Sequence, residues 1–104
     1  MALTVTVFQR GDIRVVRVQG EVDLNSSPQL RAAILTGVGE STGIGVDLSD
    51  IQYMDSSGVA TLVEGFKACT AKKLSFLLLS PSLPVMKVLK LARLDSLFRI
   101  EDTP

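Results

Sequence analysis

The chain has 104 residues, 11 Lys and Arg against 11 Asp and Glu for a formal net charge of zero, no His, no Trp and one Cys, Cys69. That length suits one domain with one hydrophobic core, and the charge balance argues against nucleic acid, whose phosphates select a basic face. Without His there is no Ser-His-Asp triad, Cys-His pair or His-ligated metal, and a single Cys excludes a disulfide framework or thiolate zinc cluster.

Residues 3–9 alternate, with Leu3, Val5 and Val7 on one side and Thr4 and Thr6 on the other, the period of a half-buried strand. Gly11-Asp12 supplies a tight turn into a second β-branched strand, Ile13 to Val18, so the pair reads as an antiparallel hairpin. Gly20-Glu21-Val22-Asp23 follows that strand. Ser26 or Ser27 as N-cap, with Pro28 in the first turn, then opens a helix of about three turns. Its stripe is Leu30, Ala33, Ile34 and Val38, and Gly37 and Gly39 end it. The Gly-rich stretch from Gly37 to Gly45 follows a helix and precedes a strand, and it lacks the Gly-Lys-Ser/Thr of a P-loop. It reads as a connecting turn rather than a phosphate cradle.

Ile44, Val46 and Leu48 form a short third strand. A turn from Ile51 to Gly58 leads to a second helix with Val59, Leu62, Val63 and Phe66 as its apolar stripe. Leu74 to Leu79 is nearly continuous in apolar residues, the pattern of a strand covered on both faces. Ser82 and Pro84 open a third helix, Leu97 to Ile100 makes a last short strand, and Glu101 to Pro104 reads as a frayed tail. The order predicts a single α/β domain over residues 1–104: one mixed, mainly parallel sheet with an opening antiparallel hairpin and helices packed on it.

No purely apolar run exceeds four residues, whereas a spanning helix needs about 20. Met1 to Thr6 also lacks the positive start and long apolar stretch of a signal peptide. The expectation is a cytoplasmic protein that does not insert into membranes.

The segment Asp55-Ser56-Ser57-Gly58 is the most informative. In open α/β sheets, sites lie beyond the carboxyl ends of the parallel strands, where helices begin. A helix N-terminus presents unpaired N–H groups and about half a positive charge, so it tolerates a phosphate on an adjacent hydroxyl. The same residues also satisfy an ordinary N-cap, Ser57 being the favoured capping residue, and Gly58 admits close backbone approach. Nucleophilic catalysis by either Ser lacks a His base, and Lys67, Lys72 and Lys73 read as a solvated face. The chain is therefore expected not to be an enzyme and to hold neither metal nor cofactor.

Gly20-Glu21-Val22-Asp23 after the second strand, Asp55-Ser56-Ser57-Gly58 at the second helix, and the ending Leu94 to Ile100 together resemble the STAS domain, specifically the bacterial anti-sigma factor antagonists. Val22 stands where that family's first motif has Leu; the second motif matches without departure. The resemblance implies a switch. The unphosphorylated antagonist binds an anti-sigma factor that is also a serine kinase and so frees a sigma factor. The kinase phosphorylates the first Ser of the turn, here Ser56, with Ser57 the runner-up; a phosphatase resets it. Asp23, Asp55, Ser57 and Gly58 would form the recognition surface, although Asp23 equally suits a turn residue. Thr61 and Glu64 on the helix's polar face would extend that surface. The segment Gly58 to Gly65 also looks somewhat like STAS accessory subunits that bind the ATPase of lipid-transporting ABC systems without a phospho-switch.

Overall fold

The computed structural model describes residues 3–40 and 42–102. Readings that fall on Met1, Ala2, Ser41, Thr103 and Pro104 lie outside the described residues. β1 (Thr4–Arg10) and β2 (Ile13–Val22) pair antiparallel across the Gly11-Asp12 loop, from Arg10↔Ile13 to Thr4↔Gln19. There follow α1 (Ser27–Val38), β3 (Gly43–Met54), α2 (Ser56–Ala71), β4 (Ser75–Leu79), α3 (Leu83–Leu91) and β5 (Arg99–Glu101). The sheet order is β1-β2-β3-β4-β5, and every pairing after the hairpin is parallel. The expected architecture holds.

Each parallel connection steps to the next strand in the same direction. Crossovers are right-handed because of strand twist, so α1, α2 and α3 all lie on one face of the sheet. The main core agrees: Leu30 and Ile34 of α1, Leu62 and Cys69 of α2, and Val85 and Leu89 of α3 pack with Val16, Val18, Ile44, Val46, Leu48, Phe76 and Leu78. Phe66, Phe76 and Phe98 close it with ring centroids 5.8–6.5 Å apart, two of the three contacts edge-to-face. A smaller cluster of Val15, Leu77 and Leu79, packed with Phe8 and Ile13, occupies the other face without any helix. β4 is thus covered on both faces, as its apolar run predicts: helices cover one face, and side chains of neighbouring strands bury Leu77 and Leu79 on the other.

Two strands run further than their apolar alternation suggests. β2 continues through Gly20-Glu21-Val22 and β3 through Ile51 to Met54, with Gly20↔Ile51, Glu21↔Tyr53 and Val22↔Met54 in register. These residues, expected in connections, are strand. Gln19, Glu21 and Asp50 break the apolar alternation here, yet pairing carries on, with Val22, Ile51 and Met54 buried and Gln19 Nε2 donating to Asp50 Oδ2 at 3.1 Å. The register shifts between Arg17 and Gln19 and between Gly20 and Glu21. Gly20 sits at φ +116°, a conformation that a Cβ would strain, which explains the glycine of the first motif. After the shifts, Val22 and Met54 both point into the core. At the C-terminus Glu101 belongs to β5, opposite Leu79, and is not part of a frayed tail.

Helix starts follow the expected signals. Ser26 and Ser82 occupy the N-cap positions of α1 and α3, each with Pro in the first turn. α1 ends at Val38 with Gly39 as C-cap, so Gly37 lies inside its last turn.

Candidate functional site

At the carboxyl end of the parallel strands, β2 runs into the loop before α1 and β3 runs into α2. The Asp55 N–H donates to the Val22 carbonyl at 3.2 Å and ties these exits together. Asp55 has extended backbone and is the N-cap of α2. Its carboxylate Oδ1 accepts from the Ser57 N–H at 2.9 Å and from the Ser57 hydroxyl. Its carbonyl accepts from the N–H groups of Gly58 and Val59. The cap is therefore Asp55 and not Ser57, a correction with a plain cause. Asp55 carries the extended dihedrals an N-cap needs, whereas Ser57 is already inside the helix.

The two adjacent hydroxyls differ in consequence. Ser57 is partly buried and bonded to Asp55. Ser56, the first residue of α2, is exposed, and its hydroxyl makes no hydrogen bond with another described residue. It stands where unpaired helix N–H groups and the positive end of the dipole favour an anion. Gly58 is buried directly behind. A Cβ there would come within 2.6 Å of Met54 Cγ and 2.8 Å of Val22 Cγ1, so the first turn of α2 seats on the ends of β2 and β3 only because residue 58 lacks one.

Asp23 shapes the neighbouring loop. Its Oδ1 accepts from the N–H groups of Asn25 and Ser26, both at 2.9 Å, while its own N–H donates to Ser26 Oγ and its carbonyl accepts from Ser27 N–H. The Ser26 hydroxyl in turn donates to the Glu21 carbonyl at 2.8 Å. These bonds, the Ser26 N–H above all, hold the Asp23 carboxyl below its usual range. Asp23 thus makes the turn into α1, directly after the Val22 carbonyl that accepts from Asp55.

Thr61 lies elsewhere than expected. It is buried, and its hydroxyl donates back to the Ser57 carbonyl at 3.0 Å, so it offers no polar surface to a partner. Helical spacing placed it with Glu64 and Lys67, but α1 packs over that side of α2. Glu64 is half-exposed and ion-paired with Arg31 of α1 at 2.7 Å, which holds its carboxyl below the usual range.

Three exposed apolar side chains at this end lie outside the candidate residues of the sequence. Leu24 (76% exposed) follows Asp23, Tyr53 (49%) is the penultimate residue of β3, and Leu83 (85%) begins α3. Leu83 belongs here because Ser82 before it donates its hydroxyl to the Ile51 carbonyl at 2.7 Å and its N–H to Leu48. The available signal was a large apolar residue in each loop or helix start beyond a parallel strand. The groove of about 240 Å³, lined by Arg10, Ile13, Val15, Leu77, Leu79, Glu101 and Asp102, lies on the open sheet face, away from Ser56. Among the described residues no three His, Cys, Asp or Glu side chains converge as metal ligands, and no helix is long and apolar enough to cross a membrane.

A five-stranded sheet in this order, with three helices on one face and a capped Asp-Ser-Ser-Gly start to α2, defines a small mixed α/β domain whose most distinctive surface is that helix start. The chain belongs to the STAS domain family, whose model matches residues 4–104. The anti-sigma-B factor antagonist of Bacillus subtilis (strain 168) is 33% identical over 67 residues, a match spanning 64% of this chain and 62% of that protein. A solved anti-sigma factor antagonist from Mycobacterium paratuberculosis superposes with a TM-score of 0.88 at 25% identity, over 98% of this chain and 87% of that one. The anti-sigma factor antagonist SpoIIAA in its unphosphorylated form gives 0.81 at 27% identity, over 97% and 89% of the two chains. The Bacillus cell fate determinant SpoIIAA in its phosphorylated form gives 0.77 at 27% identity, over 97% and 92%.

Proposed function

We propose that this protein is an anti-sigma factor antagonist. Its unphosphorylated form binds an anti-sigma factor and so frees a sigma factor, and phosphorylation of Ser56 by that partner, acting as a serine kinase, ends binding. One observation carries the choice of residue: the Ser56 hydroxyl is exposed and unbonded at the start of α2, while the Ser57 hydroxyl is held by Asp55. The relatives' names support the class, and the phosphorylated form of SpoIIAA supports a phospho-switch.

The transfer needs little from this chain beyond presentation. Ser56 Oγ attacks the γ-phosphorus of the partner's ATP, the Oγ–P bond forms as the bridging P–O bond to ADP breaks, and the hydroxyl proton passes to a base on the kinase. The product brings about −1.5 to −2 charges to a neutral chain, beside the carboxylates of Asp23 and Asp55. The α2 dipole returns about 0.3–1 kcal/mol, enough to keep the helix start formed. Across an interface the same dianion must be desolvated and repels acidic neighbours, so binding weakens without refolding. Leu24, Tyr53 and Leu83 supply the apolar contacts of the unmodified state. A phosphatase removes the phosphate by hydrolysis and resets the site.

The test is affinity capture from the native cell, with mass spectrometry of bound proteins and of the peptide around Ser56, followed by binding assays on Ser56→Ala and Ser56→Asp. The expected outcome is an anti-sigma factor kinase that binds Ser56→Ala like the wild type and Ser56→Asp at least tenfold more weakly, roughly the effect of 1.4 kcal/mol. Equal affinities for the two variants sink the switch. Capture of a permease and its ATPase with unmodified Ser56 assigns the chain to transport instead.

A further inference from the structure

The two edges of the sheet are built differently. β5 is three residues long and carries Arg99 and Glu101, ion-paired at 2.6 Å. β1 is seven residues long, Thr4-Val5-Thr6-Val7-Phe8-Gln9-Arg10, with no Pro, no Lys and a charge only at its end. Short, charged edges resist pairing with another chain, and long uncharged ones template it. Val7, in the middle of β1, is 39% exposed.

The hairpin decides which backbone groups face outward. Its two-residue loop closes on the pair Arg10↔Ile13, and such a flanking pair exchanges backbone hydrogen bonds. By alternation Thr4, Thr6, Phe8 and Arg10 use their N–H and C=O groups on β2. Those of Val5, Val7 and Gln9 point away from the sheet. The outward set is symmetric about Val7.

We propose that two copies of this chain form a twofold dimer by antiparallel pairing of β1 with β1, centred on Val7, which joins their sheets into one. In that register Val7 faces Val7, Val5 faces Gln9, Thr6 faces Phe8 and Thr4 faces Arg10. Every outward N–H and C=O of the three residues gains a partner, the exposed Val7 side chains cover each other, and no charge meets its like. Moving the axis to Gln9 leaves Val5 unpaired. A second copy is the occupant that fits, because the pattern is complementary to itself. The twofold axis stands normal to the sheet, so the Ser56 ends of the two copies point in opposite directions and both stay accessible. The dimer presents two independent sites, whatever their partner proves to be.

Sedimentation equilibrium of the full chain from micromolar to millimolar concentration tests this. The expected result is a monomer–dimer equilibrium whose dissociation constant rises about 10–100-fold in Val7→Pro. Proline removes an N–H that points outward, so the β1–β2 pairing survives, and unchanged circular dichroism and Tm verify it. Val7→Lys, which sets like charges on the axis, is expected to be monomeric. Oxidised Val7→Cys forms a covalent dimer, since paired Cα atoms about 5.5 Å apart suit a disulfide, whereas Thr4→Cys does not. A wild-type chain that stays monomeric at millimolar concentration, or a dimer that Val7→Pro and Val7→Lys both leave unchanged, overturns the proposal.

Discussion

The carboxylate of Asp55 takes both the N–H of Ser57, at 2.9 Å, and the Ser57 hydroxyl. One side chain thereby assigns two neighbouring serines to different tasks: Ser57 belongs to the fold and Ser56 to the surface. Asp55→Ala removes the cap and leaves two α2 donors without their acceptor, so it should cost about 1 kcal/mol (0.5–2) of stability. Ser56→Ala loses no internal bond and should stay within about 0.5 kcal/mol of the wild type. Urea unfolding of both variants measures the contrast, and equal losses would contradict this division of labour.

Gly58 tests how α2 is seated. In a helix, Gly→Ala ordinarily gains up to about 1 kcal/mol in propensity. Here the added Cβ meets Met54 Cγ at 2.6 Å and Val22 Cγ1 at 2.8 Å, and overpacking of a filled site costs about 1–3 kcal/mol. The steric term should win, so Gly58→Ala is expected to lower the urea midpoint with an unchanged m-value. A raised midpoint would mean that the side chains of Met54 and Val22 yield freely.

Acid should weaken the fold in a defined window. Asp23 is held below the usual carboxylate range mainly by the Ser26 N–H, and Glu64 by Arg31. For Asp47 burial raises the pKa, but bonds from the Ser49 hydroxyl and N–H and from Arg17 outweigh it and leave the carboxyl low. A depressed folded-state pKa means that the unfolded chain takes up protons first. The stabilisation is therefore present above the unfolded values, near pH 4, and is lost as pH falls through the lower folded values. Thermal melts should give a Tm that is level from pH 6 to 7 and falls below about pH 5. Asp47→Asn should melt lower at neutral pH and show a shallower acid slope.

What was legible in the chain was what depends on local chemistry. Pro28 and Pro84 beside serines mark two helix starts, and Leu30, Ile34 and Leu62 lie on buried helix faces. The ends of β2 and β3 were not legible, because Gln19, Glu21 and Asp50 break the apolar alternation there even though Val22, Ile51 and Met54 between and beyond them are buried. Thr61 misled for the converse reason. Its polarity suggested a solvated face, but its hydroxyl is satisfied inside α2 and the position is covered. The Asp-Ser-Ser-Gly start was visible as a motif. Which residue caps and which hydroxyl stays free depends on the dihedrals of Asp55, a tertiary outcome of its bond to Val22.

Leu24 and Leu83 give the sharpest test of the surface around Ser56. At 76% and 85% exposed, neither contributes appreciably to the core, so Leu24→Ala and Leu83→Ala should leave Tm nearly unchanged. Apolar side chains that project from the loop after β2 and from the start of α3, at the same end of the sheet as the proposed phosphoacceptor, are the kind that fill pockets on a partner. Truncating such an anchor typically costs 1 kcal/mol or more, about a fivefold or larger loss of affinity. Thr61→Val, buried on α2, should leave affinity as it is and serves as the control on the same helix. Titration calorimetry with the captured partner reads all three variants. If both leucine variants bind like the wild type, the partner docks elsewhere. In that case phosphorylation of Ser56 would have to act at a distance, and the bond from the Asp55 N–H to the Val22 carbonyl links the α2 start to the end of β2.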